Sequence, residues 1–235
     1  PGLPGGLASA QDGYAFVPES SALRAGREQP FRFRILGPDG HAVTRFDVEH
    51  EKRLHLIVVR RDSAGFQHVH PTMGAEGRWS VPLRVDLPGS YRAFADFTPT
   101  GGEGLTLGVD LAAPGSFEPR EFDPSRADTV DGYSVRLDGE LEPGETSDLT
   151  LTVSRGGEQV TDLQPYLGAA GHLVALRQGD LAYLHVHPVD PKARGPKIRF
   201  GAEVPSEGTY RLYLDFQHGG KVRTAEFTVA AEGHQ

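Results

Sequence analysis

Apolar and polar residues alternate along this chain in short runs, and no segment sustains a 3.6-residue apolar period. Phe31-Arg32-Phe33-Arg34-Ile35 is typical: odd positions are apolar and even positions charged, the pattern of a strand with one face in a core. In the first half such runs predict strands at roughly 14–17, 31–36, 43–47, 54–60, 66–70, 79–85, 90–97 and 105–111. Turn signals separate them, among them Pro38-Asp39-Gly40, Asp62-Ser63-Ala64-Gly65, Pro88-Gly89 and Gly101-Gly102. Seven or eight short strands in about 100 residues predict an all-β fold, an immunoglobulin-like antiparallel β-sandwich, with a small barrel as the alternative.

The pattern then occurs a second time, roughly 117–119 residues further on. Asp12-Gly13-Tyr14 matches Asp131-Gly132-Tyr133, and Phe31–Ile35 matches Leu149–Val153. HLIVVRRDSAGFQHVHP (His55 to Pro71) matches HLVALRQGDLAYLHVHP (His172 to Pro188) without a gap. Pro88-Gly89-Ser90-Tyr91-Arg92 matches Glu207-Gly208-Thr209-Tyr210-Arg211, and Asp96-Phe97 matches Asp215-Phe216. Two tandem sandwiches are therefore expected, at residues 12–113 and 131–230. Residues 114–130, rich in proline and charge, are expected to form a linker.

Composition narrows the function. A net charge of −8 offers no basic patch for nucleic acid and argues against an anionic membrane surface. The 24 Lys+Arg include only four lysines: Lys52, Lys192, Lys197 and Lys221. With no cysteine, disulfides, thiol nucleophiles and cysteine metal sites are excluded. No stretch is apolar enough to span a bilayer. The chain starts Pro1-Gly2 rather than with Met, so a processed product that has lost a signal or anchor segment, and an extracytoplasmic location, are expected.

The ten histidines hold the candidate chemistry, five in each half, with three matched between halves. These are His55, His68 and His70, and His172, His185 and His187. If Gly179-Asp180 closes a two-residue turn, His172 lies opposite His187, and His185 projects from the same face as His187. The same register in the first half closes at Asp62-Ser63 and sets His55 opposite His70. Opposed Cβ atoms lie about 4.5–5.5 Å apart and diagonal ones within about 7–8 Å, so three imidazoles converge on each hairpin. Three histidines with an open fourth position suit a divalent transition metal, Zn or Cu(II), with Ni and Fe also compatible. Asp96 and Asp215 are candidates for a fourth ligand or for orienting a histidine. His218 closely follows Asp215, whereas its counterpart is Pro99, so the two sites need not be equivalent. The competing reading is a packed, hydrogen-bonded imidazole cluster in a structural or interaction module of the cell surface. Met73 alone does not support Cu(I) carriage.

Trp79, Tyr91, Phe94, Tyr210 and Tyr213 are expected in the cores. Phe66 and Tyr183 share the histidine face by parity. Residues 162–168 read as an inter-strand loop, and His41, His50 and His234 as exposed. The acidic residues form no calcium-loop pattern, and no nucleotide, serine-hydrolase or zinc-protease motif is present. A metal-dependent hydrolase, with Asp96 or Asp215 as general base, is the remaining enzymatic reading. YLGAAGHLVALRQGDLAYLHVHP resembles a group of exported, heavy-metal-associated bacterial proteins, and the sandwich is similar in outline to the copper-resistance β-sandwich group. The string covers about residues 54–71 and 166–188. The resemblance implies export and metal handling, with a metal ion and another cell-envelope protein as expected partners.

Overall fold

A computed structural model describes residues Gly2–Gly233, so His234 lies outside the described residues. The chain divides chiefly at Glu121–Phe122 into two compact units. The first contains β1 (Ala10–Gln11), β2 (Tyr14–Pro18), β3 (Gln29–Leu36), β4 (Leu54–Arg60), β5 (Gln67–Val69), β6 (Thr72–Met73), β7 (Trp79–Leu83), β8 (Gly89–Phe97) and β9 (Leu105–Ala113). They form two antiparallel sheets, β1-β2-β3-β7-β6 and β5-β4-β8-β9. Alternation decides which side chains enter the space between the sheets. On β3, Phe31, Phe33 and Ile35 are buried and join Trp79 and Leu83 of β7. From the other sheet come Leu54, Leu56 and Val58, with Tyr91 and Ala93.

The second unit repeats the plan with β10 (Ala127–Val130), β11 (Tyr133–Asp138), β12 (Thr146–Arg155), β13 (Glu158–Gln159), β14 (His172–Arg177), β15 (Val186–Pro188), β16 (Lys197–Glu203), β17 (Gly208–His218) and β18 (Lys221–Ala231). Its sheets are β10-β11-β12-β16-β15, with β13 beside β12, and β14-β17-β18. Both units are immunoglobulin-like β-sandwiches. The matched Asp-Gly pairs are the two-residue turns β1–β2 and β10–β11. At these turns Asp12 and Asp131 have φ of 54° and 51°, and Gly13 and Gly132 have 84° and 81°. Two successive positive φ values give the turn whose twist matches the flanking strands. Each unit also has a tyrosine corner: Tyr91 Oη donates to the Leu87 carbonyl at 2.6 Å, and Tyr210 Oη to the Ser206 carbonyl at 2.8 Å.

Two elements differ from the expectation. Residues 43–47 form no strand; Phe46 enters the core while the backbone makes isolated bridges, Leu36 to Ala42 and Phe46 to Pro99. One buried side chain is enough to anchor a loop without a ladder. The stretch expected as a linker contains β10, which pairs along its whole length with β11. Its alternation, exposed then half-buried, is masked in the sequence by the neighbouring prolines and charges.

Candidate metal centre

β4 is buried at all seven positions. Leu54, Leu56 and Val58 face the core of the first unit, so by strand parity His55, Ile57 and Val59 face away from it. The outer face of this sheet carries the histidines. β5 pairs with β4 through Leu56–Val69, Ile57–His68 and Val58–Gln67, and the same register extends to His55 and His70. The ladder register is the one expected, but the reversal is not a two-residue turn at Asp62-Ser63: the Ser63 amide donates to the Arg60 carbonyl at 2.7 Å and the Arg60 amide to the Ala64 carbonyl at 2.9 Å, so the loop runs over Arg61–Ser63, with Ser63 at φ 71°. On the other side β8 sets Asp96 opposite His55.

Three ring nitrogens meet there. His55 Nδ1 is 3.1 Å from His68 Nε2 and 3.2 Å from His70 Nε2. The far nitrogen of the same ring, His55 Nε2, is 2.9 Å from the Glu49 carbonyl oxygen. A carbonyl only accepts, so Nε2 carries the proton and Nδ1 presents its lone pair to the other two rings. The ring centres are 5.3, 5.1 and 4.7 Å apart. Nitrogens bound tetrahedrally to one ion at about 2.0–2.1 Å would sit about 3.3 Å from each other, close to the spacing found.

Burial keeps two of these rings, His55 and His70, neutral at pH 7. Burial pushes His55 down to about 4, against the opposing effect of the Glu49 hydrogen bond, with the neighbouring charge of His68 lowering it further. Burial pushes His70 down to about 3, helped by His68 and His55. Imidazoles that refuse a proton at neutral pH keep their lone pairs for a Lewis acid. Asp96 is half-buried beside them, accepting from Thr106 Oγ1 at 3.1 Å.

The second hairpin begins as expected and then departs. Leu176 bridges Tyr183, and the Leu184 amide donates to the Ala175 carbonyl at 3.0 Å. Beyond Leu184 the chain crosses to the other sheet. His172 stays on β14, half-buried and paired with Asp215, whereas His187 on β15 pairs with Gly201 of β16. The expected juxtaposition of His172 with His187 is therefore replaced by these two pairings. The two domains differ at one residue of the neighbouring strand, the one opposite His187. The Val189 amide donates to the Arg199 carbonyl at 2.9 Å and the Glu203 amide to the His185 carbonyl at 3.0 Å. By alternation Gly201 turns its own amide toward His187. The aligned position in the first unit is Pro82, which has no N–H to offer His70. The β6–β7 ladder covers only Thr72–Ser80 and Met73–Trp79, which leaves His68 and His70 with β4. Met73 packs against the core rather than beside the histidines.

The model of a protein family described as a domain of unknown function, DUF8832, matches residues 8–114 and again 128–233. The chain belongs to the DUF8832 family, as two tandem members. No curated protein matches it. Among solved structures it is similar to FdeC, a broadly conserved Escherichia coli adhesin, at 14% identity and TM-score 0.30, covering 96% of this chain and 65% of that one. It is also similar to Salmonella alpha-2-macroglobulin reacted with methylamine, at 14% identity and TM-score 0.33, covering 97% of this chain and 15% of that one. Yersinia pseudotuberculosis InvD follows at 13% identity and TM-score 0.30, covering 96% and 59%. The chain thus spans less than two thirds of each of these structures.

Within the second DUF8832 domain Asp215 stays opposite His172 on the neighbouring strand, whereas His218 is placed apart from them. Asp215 is buried and accepts from Thr224 Oγ1 at 2.6 Å, as Asp96 does from Thr106. Burial, helped by the nearby Asp215 carboxylate, raises the phenol of Tyr166 far above its usual range. His218 lies at the end of β17, where its Nδ1 accepts from Tyr133 Oη at 2.6 Å and its Nε2 donates to Asp162 Oδ1 at 2.8 Å. The guanidinium groups of Arg155 and Arg223 lie 4.9 and 4.5 Å from the centre of the Tyr133 ring. His218 is thus committed to a tyrosine–aspartate clasp. Sequence reasoning missed Glu49, because a backbone carbonyl leaves no trace in residue type. Thr106 and Thr224 were detectable in principle, since both occupy matched positions opposite the matched aspartates.

Proposed function

We propose that this DUF8832 protein is a metal-binding module, with a site for Zn(II) or Cu(II) at His55, His68 and His70. One observation carries the reading. The single lone pair of His55 Nδ1 faces two Nε2 atoms at hydrogen-bond distance, while the opposite edge of the ring is pinned by the Glu49 carbonyl. One lone pair serves one N–H well, but a cation serves three lone pairs at once. A ligating histidine whose other N–H donates to a backbone carbonyl is the usual arrangement around a protein-bound metal. Three imidazoles leave further positions on the ion for water or another ligand. Cu(I) is not favoured, since Met73 is directed into the core.

The test is calorimetry on the chelator-stripped chain with Zn(II) and, separately, Cu(II). The wild type takes up metal at micromolar concentration, and His68→Ala/His70→Ala loses at least a hundredfold in affinity for that equivalent. No uptake, or uptake unchanged in the double variant, overturns the proposal. An extracytoplasmic setting with another cell-envelope protein as partner rests on the hairpin resemblance; cell fractionation with pull-down from the envelope checks it.

A further inference from the structure

We propose that His185 and His187 form a second cation site of a different kind, open to solvent, that takes a borderline divalent transition metal through two imidazoles. β15 is the end strand of its sheet among the described residues, and both rings are exposed. Residues two apart on a strand project to the same face, so the rings stand side by side. Their centres are 5.8 Å apart and their planes are inclined by 34°. Two imidazoles on one ion at about 2.0–2.1 Å have ring centres about 5–6 Å apart, a spacing this pair already has.

The backbone beneath them is fixed. The Glu203 amide donates to the His185 carbonyl at 3.0 Å, and His187 is paired with Gly201. Gly201 also seats the ring: a Cβ at that position would lie 2.7 Å from both Cε1 and Nε2 of His187. The imidazole therefore lies across the bare α-carbon of the neighbouring strand, in a place that any side chain at 201 would deny it. His55 and His218 each hydrogen-bond to another part of the fold. Among the described residues neither the His185 nor the His187 ring has such a hydrogen bond, and their centres stand 5.8 Å apart on one face.

This site stands independently of the one at His55. With two protein ligands and full solvent access it binds more weakly and exchanges faster than a buried trio. The experiment uses the whole chain, stripped with chelator and titrated with Zn(II) by calorimetry. Paramagnetic Ni(II) is added separately while the imidazole Hε1 resonances are followed by NMR. Ni(II) is expected to broaden the His185 and His187 signals together, in the wild type and equally in His68→Ala/His70→Ala. His185→Gln/His187→Gln should lose one weak Zn(II) equivalent and keep any tighter one. Both residues are exposed, so folding is not at issue. Gly201→Ala, with its fold verified by circular dichroism, should weaken the site at least tenfold. The proposal is overturned if the Gln variant retains every wild-type equivalent, if the two signals do not respond together, or if Gly201→Ala binds as the wild type does.

Discussion

Acidifying the metal-free chain should destabilise its first domain by an amount that His55 sets. The side chain is 2% exposed and titrates at about 4 in the folded state, against 6.5 for an ordinary histidine. The unfolded chain takes up this proton more readily than the folded one, so stability is complete above about pH 6.5 and drains away as the pH falls toward 4. The full difference is about 3 kcal/mol, and about 2 kcal/mol of it is spent by pH 5. His70 acts in the same direction, but its partial exposure screens it. Trp79 is the only tryptophan and lies in the core of the first domain, so its fluorescence reports unfolding of that domain alone. Urea unfolding at pH 7.5 and pH 5.0, with chelator present, should show the wild type losing about 2 kcal/mol more than His55→Leu across this interval. If the two proteins lose stability in parallel, His55 accepts a proton inside the fold and the argument for a buried neutral ligand fails.

Three further outcomes follow from the geometry. Tyr133→Phe removes the hydroxyl shared by His218 and Arg155 and should cost about 1–2 kcal/mol; a double-mutant cycle with His218→Gln should show coupling of at least about 0.5 kcal/mol, and independence of the two would mean the clasp is idle. Tyr91→Phe deletes one hydrogen bond of a tyrosine corner and should cost about 1 kcal/mol, whereas Tyr210→Phe also deletes the 3.3 Å bond between Tyr210 Oη and Ser206 Oγ, so denaturation should find a loss in the second domain at least as large; a clearly smaller one would contradict the geometry. Pro82→Val supplies the amide missing opposite His70; hydrogen exchange should reveal a protected amide at 82 and calorimetry a weaker Zn(II) site at the trio, whereas unchanged affinity would show that proline is not what keeps the strand on β4.

Much of this architecture was legible in the residues. Phe31–Ile35 and Leu149–Val153 announce their strands by alternation, and the repeated Asp-Gly-Tyr marks a turn of known geometry. The register of the first histidine hairpin is the expected one, although the chain reverses over Arg61–Ser63 rather than through a two-residue turn. The second hairpin could not be read in this way, because its outcome depends on a strand some fifteen residues away. His-Val-His-Pro is the same string in both copies, and what differs is Pro82 against Gly201 on the strand that competes for it. Local periodicity contains no information about which neighbour wins. The Glu49 carbonyl was invisible for a related reason: the turn at His50 and Glu51, with φ of 47° and 65°, has no glycine to announce it.

The exchange of an imino acid for glycine beneath one shared tetrapeptide has a bearing on how duplicated domains diverge. After a tandem copy is made, the string that draws attention can be left untouched while its surroundings reassign it, to an interior cluster in one copy and to an open rim in the other. Counting identical strings in such relatives would then overstate how many equivalent ion sites they possess. The residue to inspect is the one across the ladder, where one copy presents an amide hydrogen and the other, with proline, has none.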